Sequence, residues 1–155
     1  MNTHLCIFDL DGTLIDSQVD LANSVNATRA WAGLDPLPMA QVASYVGNGA
    51  PMLVRRALPD ADDQLLEEGL KFFLAYYKAH MLDETTLYPG VREALDEMHA
   101  AKVKLAILTN KPVKFSVQLI DGHGRSLSNY RKTHLFGELD RSMFSAGADH
   151  FPVVE

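Results

Sequence analysis

Two aspartates stand one residue apart directly after a short apolar run, in the stretch "CIFDLDGTLIDS" at residues 6–17. Asp9 and Asp11 precede a Gly-Thr pair, and a third acid, Asp16, follows. Carboxylates crowded at the end of a strand repel one another, so the cluster is costly unless a cation, usually a divalent metal, compensates its charge. This pattern therefore predicts a catalytic or metal-binding site.

The alternative is that these acids only cap the turn or helix that follows, as Asp-Gly pairs often do. On an ideal strand Asp9 and Asp11 would point to opposite faces, but a turn at Gly12 lets both reach one pocket. A lone Asp-Gly pair would favour the structural explanation. The combination of an apolar strand, two spaced acids, Gly-Thr and a further acid favours chemistry instead.

Two short apolar runs predict the strands that would position these acids. Residues 4–8, "HLCIF", end at the Asp-x-Asp-Gly sequence and are typical of a strand buried on both faces of a parallel sheet. The next such run is "VKLAILT", residues 103–109. Parallel strands of this kind indicate an α/β fold, in which ligands bind at the carboxyl ends of the strands. We expect Asp9 and Asp11 at the carboxyl end of the first strand, next to the strand that ends in Thr109.

The sequence between these strands has the periodicity of helices, with about seventy residues where a crossover needs only a dozen or so. We therefore expect residues 17–87 to form a helical cap inserted into an α/β core made of residues 1–16 and 88–155. Helices are predicted within 17–33, 38–47, 50–58 and 62–82, and another from Val91 onward.

Composition excludes several classes of protein. The chain has 155 residues, 47% of them hydrophobic, which suffices for a packed interior. Residues 1–75 hold 4 basic and 10 acidic side chains, which argues against a nucleic-acid surface. The single cysteine excludes an internal disulfide. No signal peptide and no apolar run near the roughly 18 residues of a membrane span are found. We expect a cytoplasmic protein without nucleic-acid or membrane partners, and the oligomeric state stays open.

The stretch "FDLDGTLIDS" resembles the first motif of the haloacid dehalogenase-like hydrolase superfamily, and "ILTNK", residues 107–111, resembles its second. The helical insertion is similar to the small α-helical cap of that family. "YVGNGAPMLVRRAL", followed by "TNKP", is most similar to the phosphoglycolate phosphatase branch. The resemblance covers residues 4 to about 122. It implies a Rossmann-like parallel sheet, incomplete in this chain, with an inserted cap.

The resemblance also implies a Mg²⁺-dependent phosphatase that acts on a small phosphorylated substrate such as 2-phosphoglycolate. Asp9 would be the nucleophile that forms an aspartyl-phosphate, and Asp11 would protonate the leaving alkoxide and then activate water. The Asp9 carboxylate and the Asp11 backbone carbonyl would hold Mg²⁺. Thr109 would donate a hydrogen bond to the phosphate, with Asn110 and Gly12 as further substrate-binding residues. Halide release needs no acid at the position of Asp11, so phosphate-ester cleavage is favoured over dehalogenation.

Cap residues would choose the substrate. The Gly-Asn-Gly loop at residues 47–49 could close over a small phosphorylated acid, and Arg55 or Arg56 could meet its carboxylate. The alternative is that both arginines are solvated on a helix face. The four aromatic residues of the fourth predicted helix are expected in the core of the cap rather than at a binding platform: Phe72, Phe73, Tyr76 and Tyr77.

Residues 123–155 lack the remaining motifs that the resemblance implies, a phosphate-binding Lys-Pro and a metal-binding Gly-Asp. Lys132 is followed by threonine, and Lys111, which does not inherit the later lysine's role, is expected at the surface of a helix start. We expect a truncated, frame-altered or divergent tail. Two alternatives to an active phosphatase stay open: a catalytically impaired remnant or binding module, and a pyrophosphatase or nucleotidase of the same superfamily.

Overall fold

The computed structural model describes residues 5–116 of the chain. The elements in this part follow the order β1 (Leu5–Phe8), β2 (Ile15–Asp16), α1 (Gln18–Trp31), α2 (Met39–Ala43), α3 (Ala50–Ala57), α4 (Asp63–His80), β3 (Thr86–Leu87), α5 (Val91–Ala100) and β4 (Lys104–Ile107). Residues 113–116 are helical as well. The atypical sequence at 123–155 lies outside the described residues.

Strands β1 and β4 pair in parallel, with Leu5 opposite Lys104 and Phe8 opposite Ile107. Both predicted strands and their parallel orientation are confirmed. The prediction that β1 is buried on both faces is wrong, since Leu5 is 40% and Ile7 is 42% exposed. Side chains of a strand alternate between faces, so one face of β1 is open. A continuous apolar run does not distinguish a strand covered on both faces from one covered on a single face.

The chain divides into two compact units. One consists of Met1–Leu14 and Leu87–Glu155, and its described part holds the β1–β4 pair and α5. The other, Ile15–Thr86, holds the helices α1 to α4 and is called the helical unit below. That residues 17–87 act as a cap on the remainder stays a prediction.

Residues that favour the ends of helices stand where the helices begin and end. Asp62 precedes α4, and its carboxylate accepts a hydrogen bond of 2.8 Å from the backbone N–H of Leu65. This bond satisfies one of the free N–H donors in the first turn of the helix. Gly33 follows α1 with a positive φ of 75°, and Gly90 precedes α5 with a left-handed backbone. These local signals explain why the helices could be predicted from sequence.

The core of the helical unit forms where α4 packs on α1 and α3. Phe73 and Tyr77 are each 2% exposed, which confirms the predicted core position for these two aromatic residues. Phe72 and Tyr76 are only half-buried, so the prediction does not hold for them; Phe72 stacks on Trp31, with ring centroids 5.5 Å apart. Gly69 lets α4 pack closely against Leu58, because a Cβ atom at position 69 would stand 2.9 Å from Leu58 Cδ1.

Within residues 5–116 no helix combines the length and apolar character needed to cross a bilayer.

The buried side chain of Asp20 connects the start of the helical unit to its end. Its side chain is 1% exposed, and its Oδ2 accepts hydrogen bonds from the Thr85 N–H at 2.8 Å and the Thr85 hydroxyl at 2.7 Å. Both carboxylate oxygens lie 3.1 Å from the backbone nitrogen of Glu84. Buried charge is tolerated only when it is hydrogen-bonded, and these donors satisfy that need. The contact joins the first turn of α1 to the segment before β3, and sequence analysis missed it.

Replacing Asp20 with Asn should lower the free energy of unfolding by about 1–3 kcal/mol, because an amide offers one acceptor oxygen and turns its NH₂ group toward backbone donors. Urea unfolding followed by the fluorescence of Trp31, the single tryptophan, measures the change. Asp83→Asn is the matched control, since the Asp83 side chain is 57% exposed. Equal stability of the two variants would contradict the assigned role of Asp20.

Candidate active site

The parallel pairing brings polar residues from two distant parts of the chain to one edge of the sheet. Asp9 directly follows the last residue of β1, and Thr109 lies two residues beyond the end of β4. The ladder continues past β4, since the Leu108 N–H donates to the Phe8 carbonyl at 2.8 Å. Because β1 and β4 are parallel, Asp9 and Thr109 follow the same, carboxyl ends of neighbouring strands, as predicted.

A tight turn after β1 sets the position of Asp11. The N–H groups of Thr13 and Leu14 both donate to the Leu10 carbonyl, at 3.2 and 3.0 Å. Gly12 occupies the turn with a positive φ of 77°, a conformation that glycine adopts without steric cost. Leu10 is 2% exposed and anchors the turn in the core. The side chain of Asp11, between these residues, is held away from bulk water and is only 17% exposed.

Asp9 is the exposed acid of this edge. Its Oδ1 accepts a hydrogen bond of 2.7 Å from the N–H of Leu10, which restrains the carboxylate next to the turn. Asp16, the third acid of the motif, belongs to the helical unit, where it accepts a bond of 3.2 Å from the N–H of Gln18 at the start of α1. Asp9 therefore combines a fixed carboxylate with access from solvent, as a nucleophile requires.

The prediction that Lys111 lies at the surface is wrong. Its side chain is 4% exposed, and its Nζ lies 2.8 Å and 3.0 Å from the two carboxylate oxygens of Asp11, a residue 100 positions earlier. The attraction between opposite charges accounts for this burial, since a lysine is almost never fully buried unless it is paired. A signal existed in the sequence: a lysine follows β4 closely, and acids follow β1 closely.

An exposed ion pair on α4 differs from the buried ion pair of Lys111 and Asp11. Lys71 Nζ lies 2.6 Å from Glu67 Oε1, and both side chains are about 70% exposed. The hydrogen bond between them lowers the pKa of Glu67 and raises the pKa of Lys71. Solvent screens such surface pairs, which contribute little to stability. The pair of Lys111 and Asp11 is of another kind, because both groups have lost most of their water.

The turn after β4 is ordered by the hydroxyl of Thr109. Its Oγ1 accepts a bond of 3.2 Å from the backbone N–H of Lys111. Pro112 then begins a helical turn, because its carbonyl accepts the N–H groups of Phe115 at 2.9 Å and Ser116 at 3.1 Å. Asn110 is half-buried between these residues. Thr109 and Asn110 thus lie in the turn that carries Lys111 to Asp11.

The residues at this edge fit a loosely held Mg²⁺. No group of three or more His, Cys, Asp or Glu side chains that could hold a metal occurs within residues 5–116. The Asp9 carboxylate and the Asp11 backbone carbonyl are oxygen donors, the type that Mg²⁺ takes. Mg²⁺ commonly keeps several waters and is held by one or two carboxylates together with the phosphate of a substrate. The two donors match that limited requirement.

The arginines of the helical unit are engaged with protein groups. Arg56 donates from Nη1 to the Tyr45 carbonyl and from Nη2 to Asn48 Oδ1, each at 2.9 Å. Arg55 lies 3.6 Å from Asp63 at the surface. Arg55 is exposed, as the alternative of a solvated helix face predicts. Arg56 is half-buried and holds the Gly-Asn-Gly loop at residues 47–49, a role that neither prediction included.

Comparison with known proteins places the chain in a family. A model of the haloacid dehalogenase-like hydrolases matches residues 6–125. A phosphoglycolate phosphatase of Chromobacterium violaceum is 45% identical over 122 residues, which are 76% of this chain and 55% of that protein. One of Agrobacterium fabrum is 41% identical over 127 residues, 77% of this chain and 53% of that protein. The chain spans about half the length of these curated relatives.

A solved structure gives the same result for the fold. The crystal structure of a protein from Haemophilus somnus, described as a predicted phosphoglycolate phosphatase, superimposes with a TM-score of 0.76 at 32% identity. It covers 79% of this chain, which in turn spans 58% of that protein. The α/β, Rossmann-like fold class expected from the sequence is confirmed. The chain belongs to the haloacid dehalogenase-like hydrolase family.

Proposed function

We propose that the chain is a Mg²⁺-dependent phosphatase that hydrolyses a small phosphate monoester, with 2-phosphoglycolate as the candidate substrate. The observation that carries the proposal is the exposed Asp9 at the same sheet edge as Asp11 and Thr109. Relatives named phosphoglycolate phosphatase, 45% identical over the part they share with this chain, support the choice of substrate.

The proposed reaction has two steps. The Asp9 carboxylate attacks the phosphorus, and the bond from phosphorus to the substrate oxygen breaks as an aspartyl-phosphate forms. Asp11 gives a proton to the leaving alkoxide, which is otherwise a poor leaving group. Asp11 then accepts a proton from a water molecule that attacks the phosphorus of the aspartyl-phosphate. This second step releases inorganic phosphate and restores the Asp9 carboxylate.

Binding of the phosphate is assigned to the two turns at the sheet edge. The hydroxyl oxygen of Thr109 already accepts a bond from the Lys111 N–H, so its proton is available for donation to a phosphate oxygen. Gly12 has open space where a Cβ would stand, which lets a ligand approach its backbone. Asn110 supplies an amide next to Thr109. The Asp9 carboxylate and the Asp11 carbonyl would hold Mg²⁺, which when bound offsets the repulsion between the nucleophile and the phosphate.

Substrate choice is assigned to residues 17–87 acting as a cap over the core. The loop at residues 47–49 is the part of this segment that we expect to contact the organic portion of the substrate. Arg56 would then act through the loop, since it bonds to Asn48. A small phosphorylated substrate and a cytoplasmic location, without nucleic-acid or membrane partners, belong to the same proposal.

Hydrolysis of a panel of phosphate monoesters with and without Mg²⁺ tests the proposal, with pyrophosphate and nucleoside monophosphates in the same panel. We expect release of phosphate that requires Mg²⁺ and that falls at least about a thousand-fold in Asp9→Asn, as expected for loss of a nucleophile. Asp96→Asn is the matched control, because Asp96 is exposed on α5 of the same compact unit. Equal rates for the two variants would rule out the assigned nucleophile.

A catalytically impaired relative is the second candidate. The observation that favours it is the sequence of residues 123–155, in which neither Lys-Pro nor Gly-Asp occurs. A phosphate without the lysine of that Lys-Pro motif and a metal without its distal acid lose transition-state stabilisation, by roughly a hundred-fold or more in rate for one such group.

A chimera in which the corresponding segment of the Chromobacterium violaceum relative replaces residues 123–155 tests this expectation. Its kcat/KM for 2-phosphoglycolate should exceed that of the present chain by roughly a hundred-fold or more. The same chimera with Asp9→Asn controls for activity from contaminants. Equal, Mg²⁺-dependent rates for chimera and parent would show that residues 1–155 supply the missing groups themselves.

A further inference from the structure

Lys111 has no part in the proposed reaction, although its charge lies within the site. Its Nζ contacts both carboxylate oxygens of Asp11, at 2.8 and 3.0 Å. Its backbone N–H is bonded to Thr109 Oγ1, the hydroxyl assigned to the phosphate. A cation is therefore fixed between a catalytic carboxylate and a phosphate-binding turn.

Stability alone is a weak explanation for this lysine. Removing an ammonium and a carboxylate from water costs about as much free energy as their attraction returns. Ordering the long lysine side chain adds an entropic cost. The side chains are only 4% and 17% exposed, so these costs apply to the pair. Pairs of this kind are often replaceable by apolar residues without loss of stability, which suggests a role in binding.

The charges at the edge define that role. Asp9 and Asp11 place two carboxylates within three positions of the chain, and a phosphate monoester brings further negative charge. Coulomb repulsion between these groups opposes binding, most strongly where water is excluded. A lysine ammonium has three donors on a flexible stem, so it can contact two anions or move from one to the other. Its backbone is held at Thr109, so the ammonium group stays close to the turn assigned to the phosphate.

We propose that Lys111 is a phosphate-binding residue, whose ammonium group is taken over from Asp11 by the phosphate of the substrate. The exchange replaces one ion pair by another and ends the contact between the ammonium and Asp11. This inference rests on the proposed phosphatase function. It concerns binding of the phosphate group, so inorganic phosphate serves as the probe.

Calorimetric titration of the whole chain with inorganic phosphate, with and without Mg²⁺, tests the inference. Lys111→Met should weaken binding by roughly ten- to a hundred-fold, the loss expected for a charge-assisted hydrogen bond, and Lys111→Arg by less. Lys114→Met is the matched control, because Lys114 lies in the same helical turn, is exposed and points its Nζ at the Phe115 ring. It should change the affinity by no more than about two-fold. Equal affinities of Lys111→Met and Lys114→Met would overturn the inference.

A second measurement uses the wild-type chain and does not depend on a destabilising variant. In protein labelled with ¹⁵N-lysine, the side-chain signal of Lys111, assigned by its absence in Lys111→Arg, should shift on addition of phosphate and not of chloride at equal ionic strength. An unshifted signal would overturn the inference. Hydrolysis by the wild type together with unchanged binding in Lys111→Met would reject Lys111 and leave the phosphatase proposal standing. Phosphate binding through Lys111 without any hydrolysis would reject the phosphatase proposal alone.

Discussion

The in-register parallel pairing of β1 and β4 is the constraint on which the site depends. Asp11 and Lys111 are 100 positions apart, and they meet because each follows one of two neighbouring strands that end at the same edge. The backbone bond from Leu108 to Phe8 extends the ladder up to the turn itself. A shift of one residue would turn the side chains of a strand to its other face and would disperse the group.

Two buried aspartates show how the same residue type can serve different ends. Asp20 is surrounded by neutral donors of Glu84 and Thr85, and its surroundings account fully for a structural role in the helical unit. Asp11 is paired with a cation, retains some exposure and stands two residues from the exposed Asp9. An acid that keeps access to solvent is suited to proton transfer, whereas an acid locked by backbone donors is not.

The predictable part of the structure is the part that local sequence determines. Apolar runs marked β1 and β4, and end signals such as Asp62 and Gly90 marked the helices. The placement of Asp9 and Thr109 followed from the rule that parallel strands share their carboxyl edge. The burial of Lys111 and the contacts of Asp20 were missed because their partners lie 100 and about 65 positions away, where no periodic pattern reports them.

Asp9 is the residue proposed to carry the phosphoryl group during turnover. Borohydride reduces an aspartyl-phosphate to homoserine, so mass spectrometry after acid quenching and reduction identifies the residue that was phosphorylated. We expect homoserine in place of Asp9 after incubation with 2-phosphoglycolate and Mg²⁺, and none at that position in Asp9→Asn. Unchanged aspartate at position 9 while phosphate is being released, or homoserine in place of Asp11, would contradict it.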